Sequence, residues 1–217
     1  MADYEPTERT RVYRKSGRGS YDRDLVHSIL DEALICHVGF VQDGQPYVIP
    51  TIHAREGETL YLHGAKANRT LRSLADGASC CVTVTLVDEL VLARAALHHS
   101  LNYRSAMVLG TAHEVTDSAE KERALRIVVE HIAPGRPEEI RGPDGTDLRS
   151  TKVLSMEIEE ASAKVRTGPP LDDDDDLDLP YWAGRLPLTQ GTGEPIAAPD
   201  LTGDPPVPEH VRSWVRP

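Results

Sequence analysis

Apolar positions along the chain change their period several times, and each change marks an element. Over residues 21–32, Leu25, Val26, Ile29 and Leu30, followed by Ala33, give an i, i+4 apolar face, which predicts an amphipathic helix with Ser20 as its cap. Residues 33–41 form a short apolar run with β-branched content, and Asp43-Gly44 behind it is a strong hairpin signal. A return strand is expected over residues 47–53, interrupted by Pro50. Proline cannot donate to a ladder, so it implies an edge, a bulge or a ligand-facing position. A turn at 55–58 leads to a third strand over 59–63, small residues at 64–68 break it, and residues 69–75 predict a short helix ending at Gly77.

Farther along, residues 79–87 and 90–96 predict two strands joined at Asp88-Glu89, and residues 102–115 a long strand with a bend or bulge at Gly110. Asp117, with Glu120 at capping-box spacing, opens a helix to about Ile132 that buries Ala124, Leu125, Val128, Val129 and Ile132 before Pro134-Gly135 stops it. Strict alternation over 153–158 predicts a last strand. Tight turns between consecutive strands make the sheet mostly antiparallel. The order is not βαβαβ, and there is no G-x-G-x-x-G. The expected fold class is mainly β with α: six or seven antiparallel strands in a closed or partly closed barrel with flanking helices.

Composition divides the chain. Its 217 residues suffice for one domain, but the stretch from Pro169 to Pro217 holds many prolines and acids and carries about seven of the eleven net negative charges. The expected organisation is an N-terminal arm over 1–19, a barrel domain over 20–168 and a Pro/Asp-rich extension over 169–217, partly draped over the barrel or a dimer. The acidic balance argues against a nucleic-acid partner, which demands clustered Lys and Arg. The basic stretch, Arg9 to Arg23, is either a solvated arm or one that folds over an anionic ligand or a partner subunit. Cys36, Cys80 and Cys81 make no C-x-x-C pair and read as small core residues in a reducing compartment. No apolar run is long enough to span a bilayer and no signal peptide opens the sequence, so a cytoplasmic protein with no membrane partner is expected.

Several clusters could carry chemistry. His63-Gly64-Ala65-Lys66-Ala67-Asn68-Arg69 places small residues between a strand and a helix start, with Lys66, Asn68 and Arg69 as donors. Such a turn can cradle a phosphate, or it can be an ordinary β–α turn with surface cations. In Asn102-Tyr103-Arg104-Ser105, alternation puts Tyr103 and Ser105 on one face and Asn102 and Arg104 on the other. Arg104 then needs a partner, either a phosphate or ring carbonyl of a ligand or an internal Asp or Glu. Pro50 leaves a carbonyl and the Thr51 hydroxyl open to a ligand, or marks a bulge. The histidines show no H-E-x-x-H and no Cys/His pairing, so no metal site is expected, and no G-x-S-x-G marks a nucleophile.

The order of these segments is similar to that in the flavin-nucleotide-binding branch of the pyridoxamine 5′-phosphate oxidase-like superfamily, related to the nitroimidazole-resistance proteins. The resemblance is carried by Tyr21-Asp22, Cys36-His37-Val38-Gly39-Phe40, Val48-Ile49-Pro50-Thr51, Leu60-Tyr61-Leu62-His63-Gly64, Asn102-Tyr103-Arg104-Ser105 with Gly110, Lys164-Val165-Arg166, and Trp182-Ala183-Gly184 with Pro187. It implies a split barrel that forms a homodimer and holds FMN in grooves at the subunit interface. Pro50 and Thr51 would lie along the ring, and His63, Lys66 and Asn68 near the phosphate. Tyr103, Arg104 and Ser105 would contribute polar contacts, and Trp182 would reach the flavin or close the interface. The implied activity is that of an FMN-dependent oxidoreductase acting on a small molecule, with a non-catalytic flavin or haem carrier, or a stress protein of the same fold, as the alternative. The C-terminal arginine-proline motif of true pyridoxamine-phosphate oxidases is missing, which argues against vitamin B6 oxidation.

Overall fold

The structure, a computed structural model, describes residues 2–203 and 205–215. Ser20 does not cap the first helix. It belongs to a two-residue strand, β1 (Gly19–Ser20), and α1 (Arg23–Glu32) is capped by Asp22, whose carboxylate accepts from the Leu25 N–H at 2.6 Å. β2 (Ile35–Gln42) and β3 (Gln45–Glu56) join through Asp43 and Gly44, with φ of 53° and 76°. Two positive φ values give the twist that a two-residue hairpin needs. β4 (Thr59–Ala65) leads to α2 (Arg69–Leu74), where Asn68 is the cap and accepts from the Leu71 N–H at 3.2 Å.

β5 (Asp76–Leu92) is one strand, not the two expected around Asp88-Glu89. Those residues make a bulge: the register against β6 (Ser100–Glu114) shifts between Val87 and Glu89, and pairing resumes. α3 (Ser118–Ile132) is capped by Asp117, and α4 (Gly145–Ser150) by Asp144. β7 (Thr151–Glu157) follows, then β8 (Glu160–Arg166), which sequence reasoning missed. In the extension, a 3-10 turn (Asp174–Asp176), β9 (Gly184–Pro187) and α5 (Glu209–Arg212) are the regular segments among the described residues.

The sheet closes in the order β6-β7-β4-β3-β2-β5 and back to β6, with β8 and β1 continuing beside β6 and β9 added beside β5. All pairings are antiparallel. Val38, Leu60, Leu62, Val82, Val108, Leu154 and Met156 fill the interior, and Val26, Ile29 and Leu30 of α1 join them. Outside, α3 lays Ala124 and Val128 against the barrel beside Tyr61, Val115 and Val153.

Two positions locate the site. Among the described residues, 45–52 of β3 pair with β2 alone, because β4 joins from His53 onward. Pro50 therefore stands where one side of the strand is open, as its missing N–H requires. Gly110 is neither bend nor bulge, since register runs through Cys80↔Gly110. It sits where β6 changes partner, from β8 at Leu109 to β7 at Ala112, and a Cβ there would lie 2.2 Å from the Glu157 carbonyl oxygen. Only glycine admits a backbone that close.

Candidate functional site

Strand register assembles the outer face of the barrel residue by residue. Pro50 pairs with His37, His37 with Thr83, Thr83 with Met107 and Met107 with Ser162, a row across five strands. The next row holds Thr85, Ser105 and Lys164, and the one beyond it Val87, Tyr103 and Arg166. On the opposite flank, Gly39 links Val48 to Cys81. Much of this face is apolar and open: Ile35, Val41 and Val48 are 47%, 66% and 65% exposed. An exposed aliphatic patch on a sheet face is a mark of an interaction surface.

At its β5–β6–β8 end the face becomes a groove of about 540 Å³, walled by the N-terminal arm from Arg9 to Arg14 and floored by Thr83, Thr85, Ser105, Met107, Ser162 and Lys164. The arm is not simply solvated. Tyr21 accepts from the Val12 N–H at 3.0 Å, Thr10 is buried, and Arg9 pairs with Glu160 on β8. Arg11, Arg14 and Lys164 have no ion-pair partner among the described residues. Three uncompensated cations around a groove floored by hydroxyls suit a phosphorylated ligand. The sequence signal for this groove was the basic stretch; that Lys164 joins it follows from the β8 register, which sets Lys164 opposite Ser105.

The residues singled out in the sequence do not all come together. Pro50, Tyr103 and Ser105 lie on the outer face, and alternation along β4 puts His63 on that side too, since Tyr61 packs toward α3. The His63 Nδ1 is buried with no hydrogen-bond partner among the described residues, and burial lowers the ring's pKa. Thr51 is paired with Cys36 on the inward side. Lys66 lines a separate pocket of about 300 Å³ with Glu114, Lys121 and Arg149, while Asn68 spends its side-chain oxygen on the helix cap. Trp182 is exposed and covers Gly184, where a Cβ would meet its ring at 2.8 Å.

Arg104 points the other way from Tyr103. Its guanidinium binds Glu32 at the end of α1 and Asp88 in the β5 bulge, and these bonds raise its pKa. The internal-carboxylate partner is therefore the one this chain supplies. Arg104 and Lys66 do not converge in one chain: Lys66 shares its pocket with Glu114, ten residues along β6 from Arg104, a span of roughly 33 Å. Arg104→Ala is expected to lower stability by about 1–2 kcal/mol in chemical denaturation, because it removes the cation that Glu32 and Asp88 share. Unchanged stability would show that the pair contributes nothing.

None of the described helices is long and apolar enough to cross a membrane. A search of curated proteins finds no match. Among solved structures, the chain is similar to the flavocytochrome Anf3 from Azotobacter vinelandii, at 40% identity over 96% of this chain and 97% of that one, with a TM-score of 0.89. It is also similar to the FAD and haem binding protein from Mycobacterium smegmatis, at 35% identity over 90% and 96%, with a TM-score of 0.85. A protein from Bacteroides thetaiotaomicron provisionally assigned to 5-nitroimidazole antibiotic resistance matches at 26% identity over 68% of this chain and 86% of that one, with a TM-score of 0.57. The family model for pyridoxamine 5′-phosphate oxidase matches residues 22–165, and with the antiparallel ring of strands described above it identifies this chain as a member of that family.

Proposed function

We propose that two copies of this chain pack through the open outer face of β2, β3 and β5 and hold a flavin nucleotide there, as a redox protein acting on a small molecule. The observation that carries this reading is the outer face itself. Exposed Ile35, Val41 and Val48 run into a groove rimmed by unpaired Arg11, Arg14 and Lys164. An apolar surface suits a ring system and a partner subunit, and the cations suit its phosphates. When bound, flavin supplies the hydride or electron chemistry, and the protein supplies orientation and access. Pro50 presents an edge without an N–H, Tyr103 and Ser105 offer hydroxyls from β6, and Arg11, Arg14 and Lys164 hold negative charge. FAD is favoured over the FMN expected from sequence, because the Mycobacterium smegmatis relative is described as binding FAD and haem.

Haem beside the flavin is a second component, favoured by the two relatives aligned over nearly the whole chain. His63 fits an iron ligand on two counts: burial lowers its pKa, which favours the neutral ring that ligation requires, and Nδ1 has no partner among the described residues.

The purified protein is expected to show flavin absorption and to release FAD on denaturation, and a Soret band would report haem. Arg11→Ala combined with Arg14→Ala should weaken flavin retention at least about tenfold while stability holds, since charge-assisted bonds to phosphate are lost. Val48→Glu should convert a dimer to a monomer in sedimentation and release the flavin with it. A colourless monomer as the wild-type result would overturn the proposal.

A further inference from the structure

We propose that His98, Asp173 and Asp176 form a site for a divalent transition ion of the Mn²⁺ or Zn²⁺ class, which fastens the acidic extension to the barrel. His98 ends the 3-10 turn Ala96–His98 between β5 and β6, and the two aspartates come from the extension at the 3-10 turn Asp174–Asp176. One ligand atom from each lies within 4.8 Å of the others, and His98 Nε2 is 3.2 Å from an Asp173 carboxylate oxygen. Metal–ligand bonds of about 2.1 Å place neighbouring donors about 3 Å apart and opposite donors about 4.2 Å apart. Only one pair can sit opposite, so closing the cluster around an ion asks the remaining donors to draw in by up to about 1–2 Å, a movement that side-chain rotation of the exposed Asp173 can supply. One imidazole and two carboxylates form a donor set shared by Mn²⁺ and Zn²⁺, with positions left for water.

The surroundings favour a cation. Of the five consecutive aspartates at 172–176, Asp172 is already occupied. Its side chain is 1% exposed, bonded to the Arg94 guanidinium at 3.0 Å and to the Arg94 N–H at 2.9 Å. That buried anchor sets the position of the residues that follow. Among the described residues, Asp173 through Asp176 pair with no lysine or arginine, and His98 is the basic group facing them. Carboxylates crowded in this way repel one another unless a positive charge joins them.

The test is equilibrium dialysis of the chelator-stripped full-length protein against Mn²⁺, with metal analysis and Zn²⁺ as competitor. The expected result is one Mn²⁺ per chain, displaced by Zn²⁺. Affinity should fall at least about tenfold in His98→Ala and in the Asp173→Asn, Asp176→Asn double variant. Asp175→Asn, which removes an adjacent carboxylate outside the triad, should stay within about twofold of wild type. Mn²⁺ should also slow proteolysis of the extension in the wild type and not in His98→Ala. Absence of saturable binding, or an Asp175→Asn loss as large as that of His98→Ala, would overturn the site in favour of diffuse counterion attraction. Neither readout depends on flavin or haem, so this outcome and that of the cofactor experiments are separable.

Discussion

Gly110→Ala is expected to destabilise the protein by about 3 kcal/mol or more, the upper end of what overpacking costs, in urea denaturation followed by circular dichroism. The added methyl would start 2.2 Å from the Glu157 carbonyl oxygen and 2.9 Å from Met156 Cγ. The methionine side chain can move aside. The carbonyl cannot, because it belongs to the turn where β7 passes into β8 and both strands are hydrogen-bonded to β6 around it. Relief requires prying the two strands off β6 at the seam that closes the ring. Gly39→Ala is the control. Its new Cβ would sit 3.6 Å from the Cys81 carbonyl oxygen, an ordinary contact, and the change should stay within about 1 kcal/mol. A Gly110→Ala loss no larger than that of the control would refute the close-approach account.

Acidification from about pH 6.5 to pH 4 is expected to remove about 3 kcal/mol of stability through His53 alone. The residue is fully buried in the barrel wall, and its Nε2–H donates to the Leu30 carbonyl at 2.9 Å, satisfying the last turn of α1. Nδ1 is then the bare nitrogen, buried without a partner among the described residues. Burial, with the His131 ring 5.2 Å away adding to it, pushes the pKa of His53 down to about 4. Because the folded pKa lies below the unfolded one, the unfolded chain takes up the proton first as pH falls. The stabilisation is therefore whole above about 6.5 and drains away down to about 4. His27 and His63 are lowered too, so the comparison must be differential. His53→Gln, whose amide can still donate to Leu30, should lose a large part of this acid-limb slope. An unaltered slope would place the acid sensitivity elsewhere.

Local chemistry made much of the fold legible. Asp43-Gly44 declares its turn because two positive φ values in succession leave few alternatives, and the alternation in Asn102-Tyr103-Arg104-Ser105 assigns faces without any knowledge of neighbours. What failed to show was decided by partners distant in sequence. Asp88-Glu89 has turn composition, yet β6 on one side and β9 on the other hold β5 extended through it as a bulge. β8 escaped notice because Ala161, Ser162 and Ala163 lack the bulk that periodicity detects, small residues being what its crowded place beside β6 admits. The site was half legible for the same reason. That Arg104 needed an anion follows from its position; that Glu32 and Asp88 would supply it depends on where α1 ends. Asn68 as a donor to phosphate and Asn68 as a helix cap look alike in sequence, and the Leu71 N–H decides between them.

Four residues of the extension, β9, hydrogen-bond along Glu89–Leu92 of β5, the stretch where that strand runs past the ring and its second edge has no other neighbour among the described residues. Cutting the chain before Gly184 would strip that edge bare. Its unsatisfied amides and carbonyls, flanked by Leu90 and Val91, would template pairing with the same edge on another molecule. A shortened form of this protein should therefore fail first by self-association at high concentration rather than by loss of its barrel.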